Sequence, residues 1–216
     1  MTHYQELTII KSPEIPPYFI WSKLFMQVHL ALVESKDNND KVYAGISFPE
    51  YQYFEKNGKT ITILGSKLRV FAQQQSDLEQ LDLPQKLSRL LDYVHIKSIS
   101  AINPEQVTQH LTVKRYRQDG NMERLTRRFA KRKGISFEDA KQQQITRYAE
   151  QHKVSLNQSQ VLYENPELKS YPYIIMDSLS SDKKFSLEIV QTEVDQNRDG
   201  LFNTYGMSAT TTVPHW

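Results

Sequence analysis

The sequence predicts an α+β chain in two parts, and three observations predict it. The first 105 residues read as strand, helix, strand, strand, helix, strand, the order of a split βαβ or ferredoxin-like domain. The stretch "INPEQ" at 102–106 marks a seam. Residues 106–216 then begin with an extended segment followed by an arginine-rich helix. At 216 residues the chain suffices for one large domain or two small ones with a real core.

Each element follows from its local pattern. Residues 4–11 form a strand. Pro13, Pro16 and Pro17 mark a loop and a helix start. Residues 17–34 are a helix whose apolar stripe is Trp21, Leu24, Phe25, Val28 and Leu32. His29 sits beside Val28 and one turn after Phe25, at the edge of that stripe. "KVYAGISFP" and "KTITILGSKLRVFA" are strands with a turn at Gly65. Residues 76–92 are a helix and 93–101 a strand. "TVKRYRQ" is extended, and its alternation puts Arg115 and Arg117 on one side. Met122 to Lys133 holds only good or neutral helix formers, with Asn121 to cap its start and Gly134 to end it. A further helix covers 137–150, with Ser136 and Asp139 as a capping pair. Residues 151–170 are polar and irregular. Strands follow at 171–178 and 184–193, then a glycine-bearing loop at 195–206. There is no repeat and no low-complexity tract.

Composition narrows the function. The chain has no cysteine, which excludes disulfides and thiolate metal sites. No apolar run approaches the length of a membrane span, so a membrane partner is not expected. The N-terminus "MTHYQELTII" lacks the blocks of a signal peptide, and a cytoplasmic protein is the expectation. The net charge of +2 hides an asymmetry. Nine basic residues and two acids lie between Lys114 and Lys133, so this segment carries +7 and the remainder −5. Within it, Arg124, Arg127, Arg128, Lys131 and Arg132 share one helix face, while Met122, Leu125 and Phe129 occupy another. A solvated helix face is the bland explanation. A basic stripe on a mildly acidic body is also the footprint of a polyanion, and a phosphate backbone offsets the repulsion by releasing counterions.

The chemistry has to run without a recognisable metal site. The six histidines, at 3, 29, 95, 110, 152 and 215, form no metal-binding pattern, and no acidic cluster is spaced for Mg²⁺. There is no phosphate-binding glycine loop and no GxSxG elbow. RNA permits metal-free cleavage because its own 2′-hydroxyl can attack the adjacent phosphate. The protein need only take that proton, and a histidine suits the task. No cofactor is expected.

At these residues the sequence resembles a known family, the crRNA-processing endoribonucleases of type I-F (Yersinia-subtype) CRISPR systems. The resemblance is carried by "PEIPPYFIWSKLFMQVHLALV" at 13–33, "GISFPEY" at 45–51, "LGSKLRVFA" at 64–72 and "VKRYRQDGNMERLTRRFAKR" at 113–132. It continues through "MDSLSSDKKFSLEI" at 176–189 and "YGMS" at 205–208. No one of these is diagnostic; their order and spacing together are quite specific.

The resemblance implies a ferredoxin-like domain at 1–105 carrying the catalytic histidine, and a domain at 106–216 that grips an RNA hairpin with the arginine-rich helix, about 122–133. His29 would be the catalytic histidine. Ser178 would hold the nucleophilic 2′-OH, with Ser180 as a helper, and Tyr205 would position the histidine or the scissile nucleotide. Phe185 would stack beneath the closing base pair. Arg124, Arg127, Arg128, Lys131 and Arg132 would enter the major groove of the stem. The family reads its stem with an Arg-x-Gln pair. Arg115 fits the arginine, Arg117 stands at the glutamine's place and Gln118 follows, so these two remain alternatives for the second base contact. The implied substrate is a CRISPR repeat RNA hairpin, cut at its 3′ base to leave a 2′,3′-cyclic phosphate (or 3′-phosphate) and a 5′-hydroxyl. The implied partners are the other subunits of a type I-F surveillance complex. A non-catalytic hairpin-binding subunit and a DNA-binding regulator are the competing expectations.

Overall fold

The structure is a computed structural model and describes residues 1–117, 122–164, 169–178 and 183–216. Gln118, Asn121 and Ser180 lie outside the described residues. The chain divides into two compact units, one formed by Met1–Tyr116 with Ser170–Trp216 and the other by Arg117–Lys169. The contact boundaries of these units fall at Tyr116 and Lys169.

The first unit opens with β1 (His3–Ile9), α1 (Pro17–Glu34), β2 (Lys41–Val42) and β3 (Ala44–Ser47). β4 (Gln52–Lys56), β5 (Lys59–Ile63), β6 (Lys67–Ala72), α2 (Gln75–Leu81) and α3 (Leu83–Lys86) follow. β7 (Val94–Ile96), β8 (Ser100–Ala101) and β9 (Gln109–Tyr116) complete its N-terminal stretch. The second unit is three helices, α4 (Met122–Lys133), α5 (Phe137–His152) and α6 (Leu156–Glu164). The chain then returns to the first unit as β10 (Tyr173–Asp177), β11 (Lys184–Val194), β12 (Phe202–Asn203) and β13 (Ser208–His215).

One sheet of the first unit runs β3-β6-β1-β7 with antiparallel neighbours, and β8 also pairs with β1. With α1 before β3 and α2 and α3 before β7, this is the βαββαβ connectivity expected of the first part. The second sheet runs β10-β11-β9-β13. The two sheets and α1 share one buried cluster. Phe25, Val28 and Leu32 of α1 belong to it with Ile46, Leu68 and Val70, and so do Val113, Met176, Leu187 and Ile189 of the second sheet. Inside the first sheet, Glu6 lies directly opposite Arg69, at 4% and 8% exposure. Arg69 Nε donates to Glu6 Oε2 at 2.8 Å, and its guanidinium lies 4.0 Å from the centroid of the Trp216 ring. Lys97 Nζ lies 2.7 Å from Glu6 Oε1. Burial alone would push the Glu6 carboxyl up; the bonds to Lys97 and Arg69 outweigh it and hold it below the usual carboxylate range.

Several sequence expectations change. β5 turns away from β6 at Gly65 as expected, but its partner is β4, through a hairpin turned by Asn57 and Gly58 at φ 54 and 70. The helix expected at 76–92 is broken. Asp82 adopts a left-handed φ of 42, and Pro84, lacking an N–H, starts a second short helix. The strand expected at 93–101 is two short strands, β7 and β8, each paired with β1. The segment 151–170 is not wholly irregular, because α6 lies within it. Ser155 and Gln158 cap it reciprocally, with Gln158 N–H donating to Ser155 Oγ and Ser155 N–H to Gln158 Oε1. Ser136 Oγ caps α5 by accepting from Asp139 N–H at 3.1 Å, as the sequence indicated. β13 is a strand beyond those expected from the sequence.

Candidate active site

α1 places His29. The stripe of Ile20, Trp21, Leu24, Phe25, Val28 and Leu32 buries the helix face, and His29, four residues after Phe25, goes in with it at 6% exposure. A buried imidazole needs a partner, and it comes from the far end of the chain. His29 Nδ1 lies 2.7 Å from the Thr204 carbonyl oxygen. A carbonyl only accepts, so Nδ1 carries the hydrogen and Nε2 of the neutral ring carries the lone pair. The Tyr205 ring stacks on the imidazole with centroids 4.1 Å apart and planes 2° apart. Burial pushes the His29 pKa below its ordinary value, against the opposing bond to Thr204, so the ring is neutral at neutral pH. The result is a fixed, desolvated, neutral histidine whose Nε2 carries the lone pair, the state a general base requires.

The turn that delivers Thr204 and Tyr205 joins β12 to β13. Gly206 N–H donates to the Asn203 carbonyl at 2.8 Å, closing a four-residue turn. Gly206 has φ +71, and a Cβ there would lie 2.7 Å from Ile46 Cγ2, so glycine is required on both counts. The Gly206 carbonyl accepts from Ile46 N–H at 2.9 Å, which ties the turn to β3. Thr204 and Asn203 were not singled out in the sequence. The signal was present, since "NTYG" has asparagine at the first and glycine at the fourth position of a turn.

Ser178 follows β10 directly, and its N–H donates to the Lys183 carbonyl at 2.9 Å. β10 packs against α1, the helix carrying His29. Phe185, on β11, pairs across from Met176. The Arg115 guanidinium lies over the Phe185 ring at 4.9 Å, so these two residues form one cation–π unit. Register places Arg115 opposite Ile189, on the face that also carries Leu187 and Phe185. Among the described residues its Nε is buried with no hydrogen-bond partner. The structure thus brings together His29 with Tyr205, and Arg115 with Phe185.

The second unit presents the basic helix. α4 buries Thr126 and Ala130, while Met122, Leu125 and Phe129 are half-buried beside them. Thr126 Oγ bonds the Met122 carbonyl, Gln144 Oε1 and Tyr163 Oη, which fixes α4 against its neighbours. Arg124, Arg127, Arg128, Lys131 and Arg132 are exposed, and Arg127 pairs with Glu123. Arg117 is exposed as well. Among the described residues no three His, Asp or Glu side chains are grouped to hold a metal ion, and no helix is long and apolar enough to cross a membrane.

A family model described as CRISPR-associated protein (Cas_Csy4) matches residues 4–216. The chain is 27% identical over 215 residues to the CRISPR-associated endonuclease Cas6/Csy4 of Escherichia coli (strain UTI89 / UPEC), covering 99% of each. It is 27% identical over 215 residues to the protein of the same name from Pseudomonas aeruginosa (strain UCBPP-PA14), again covering 99% of each. A solved structure titled "An RAMP protein binding different RNA substrates" aligns over 99% of both chains at 11% identity with a TM-score of 0.35, a likeness too slight to argue from.

Proposed function

We propose a function from the premise that this chain belongs to the Cas_Csy4 family of CRISPR-associated proteins: it is an endoribonuclease that processes precursor CRISPR RNA. Relatives of full matching length named CRISPR-associated endonuclease support this reading. The substrate is a repeat hairpin, cut at its 3′ base without a metal ion. Residues 1–105 supply the histidine and residues 106–216 the grip on the stem.

One observation carries the mechanism. The Thr204 carbonyl accepts a hydrogen bond from Nδ1–H of His29, which leaves Nε2 as the unprotonated nitrogen of a ring that burial keeps neutral. Nε2 takes the proton of the 2′-hydroxyl as that oxygen bonds to the adjacent phosphorus. The bond from phosphorus to the 5′ oxygen breaks, and the leaving oxygen takes a proton from solvent water. The products are a 2′,3′-cyclic phosphate, open to hydrolysis to a 3′-phosphate, and a 5′-hydroxyl. Ser178 holds the 2′-hydroxyl with Ser180 as helper, and Tyr205 holds the imidazole. Phe185 offers its ring to the closing base pair, and Arg115 reads a base beside it; Arg117 or Gln118 reads a second. Arg124, Arg127, Arg128, Lys131 and Arg132 contact the stem. The enzyme stays on the hairpin it has cut, acts in the cytoplasm and joins the other subunits of a surveillance complex.

The test is a repeat hairpin with a single 2′-deoxy substitution immediately 5′ of the scissile phosphate, incubated in excess EDTA beside the all-ribose hairpin. The all-ribose hairpin is cut and the deoxy hairpin is bound but intact. Cutting of the deoxy hairpin means that water is the nucleophile, and loss of all cutting in EDTA means that a metal is needed. Either result overturns the mechanism.

A further inference from the structure

We infer that Asn203 is the positioning residue that selects the tautomer of His29, by clamping the peptide unit between Thr204 and Tyr205. The inference rests on the reading of His29 as the base. The Thr204 carbonyl and the Tyr205 N–H belong to the same peptide. No peptide bond in the described chain is cis, so this unit is planar and trans and its C=O and N–H point in opposite directions. Both ends are held. Asn203 Oδ1 accepts from Tyr205 N–H at 2.9 Å, and the Thr204 carbonyl accepts from His29 Nδ1 at 2.7 Å. Fixing the N–H on one side aims the carbonyl at the imidazole on the other.

Asn203 Oδ1 also accepts from Met207 N–H at 3.2 Å, and the Asn203 backbone closes both ends of the turn. Its carbonyl accepts from Gly206 N–H at 2.8 Å, and its N–H donates to the Met207 carbonyl at 3.0 Å. The side-chain oxygen thus sits inside the loop as an acceptor that the backbone does not provide.

The alternative it suppresses is specific. The two common turn types of this size differ by a flip of the central peptide, which here is the Thr204–Tyr205 unit. The flipped form needs a positive φ at Tyr205, and Tyr205 is not among the residues with positive φ. A flip would present an N–H, not a carbonyl, to His29. Nδ1 would then have to accept, the ring hydrogen would move to Nε2, and the nitrogen that must take the 2′-hydroxyl proton would be blocked. The side chain at Tyr205 disfavours the flip sterically, and Asn203 disfavours it by hydrogen bonding.

The experiment compares Asn203→Leu and Asn203→Asp with the wild-type chain. Leucine has nearly the same shape and no acceptor, whereas aspartate keeps an oxygen that accepts both N–H bonds. Two readouts are taken: ring-nitrogen chemical shifts of His29 by NMR in the free protein at mildly alkaline pH, and single-turnover cleavage of a repeat hairpin at saturating enzyme. The wild-type chain and Asn203→Asp show hydrogen on Nδ1 and cut well. Asn203→Leu shows hydrogen on Nε2 in a substantial population and loses much of the about 10²–10⁴-fold that a positioned base supplies, with hairpin affinity unchanged. If Asn203→Leu does not fold, Asn203→Ala takes its place. Overturning results are a folded Leu or Ala variant that keeps the Nδ1 hydrogen or cuts at the wild-type rate, or a folded Asp variant that behaves like Leu. If the wild-type chain cuts no hairpin at all, the functional reading fails, and the NMR result still decides whether Asn203 sets the tautomer.

Discussion

Tyr205 separates ring from hydroxyl. Its ring lies on His29 with centroids 4.1 Å apart and planes 2° apart, and its hydroxyl makes no hydrogen bond among the described residues. If Tyr205 acts by holding the imidazole, the ring carries the effect. Such an aromatic pair contributes about 0.5–1.5 kcal/mol beyond the area it buries. Lost in full from the reactive geometry, that is a slowing of about 2- to 13-fold in Tyr205→Ala. A second loss adds to it at acid pH. Removing the ring admits water to His29, relieves the burial that depresses its pKa, and protonates more of the base. Tyr205→Phe keeps the stack and is expected near the wild-type rate at all pH values. The assay is single-turnover cleavage at saturating enzyme across a pH series, with affinity measured on the 2′-deoxy hairpin. If Phe slows cleavage as much as Ala, the hydroxyl touches the RNA and the stacking argument is wrong. A wild-type rate for Tyr205→Ala refutes it equally.

Three further predictions follow from single observations. Because burial lowers the His29 pKa, kcat/KM should rise with pH to a midpoint below about 6.5 and stay flat through neutrality; a midpoint at or above that value contradicts the buried-base assignment. Arg69→Met leaves the Glu6 carboxylate, 4% exposed, with Lys97 as its remaining cation, and should destabilise the chain in urea unfolding at neutral pH by less than the about 3–5 kcal/mol that a wholly unpaired buried charge costs. The difference from wild type should shrink on acidification, because the wild-type ion pair is complete only above the carboxyl's unfolded pKa and is lost as pH falls through its depressed folded value, while the variant's carboxyl protonates readily; a pH-independent difference would assign the loss to packing. Arg128→Ala should weaken hairpin binding and lower its salt slope by about one, leaving the rate at saturation intact. Unchanged binding at every salt concentration would make the exposed face of α4 an ordinary solvated one.

What was legible in the sequence, and what was not, divides along physical lines. α1 was legible because its start is set by prolines and its face by a stripe at helical period, both local signals. The α5 cap was legible for the same reason; α6 has an equally local capping pair, but its few apolar residues give no helical stripe to mark it. The break at Asp82 was not legible, since neighbouring residues have helical propensity and only Pro84 hints at it. The β4–β5 pairing was hidden in continuous strand-like sequence, although "NG" at 57–58 is a strong hairpin signal. At the site, the residue type of His29 could be read, but not its partner. A lone histidine on a helix edge says nothing of a carbonyl 175 positions away.

That carbonyl reaches His29 through a chain of close approaches, and the approaches give physical reasons for motifs that the sequence only displayed. β12 and β13 lie against β3 at Gly45, where a Cβ would stand 2.5 Å from the Phe202 ring and 2.8 Å from Val213 Cγ1. Only a residue without a side chain lets the backbone pass there. One residue on, Ile46 N–H donates to the Gly206 carbonyl, and Gly206 in turn has no room for a Cβ beside Ile46. Gly45 of "GISFPEY" and Gly206 of "YGMS" thus each open a close approach, and the Ile46–Gly206 hydrogen bond beside them seats the turn on β3. The turn so seated clamps the Thr204 peptide and lays Tyr205 on the imidazole that α1 supplies. The proposed base is thus a product of tertiary contact: the helix provides the ring, the seat on β3 provides the place, and the turn carbonyl fixes which ring nitrogen holds the hydrogen.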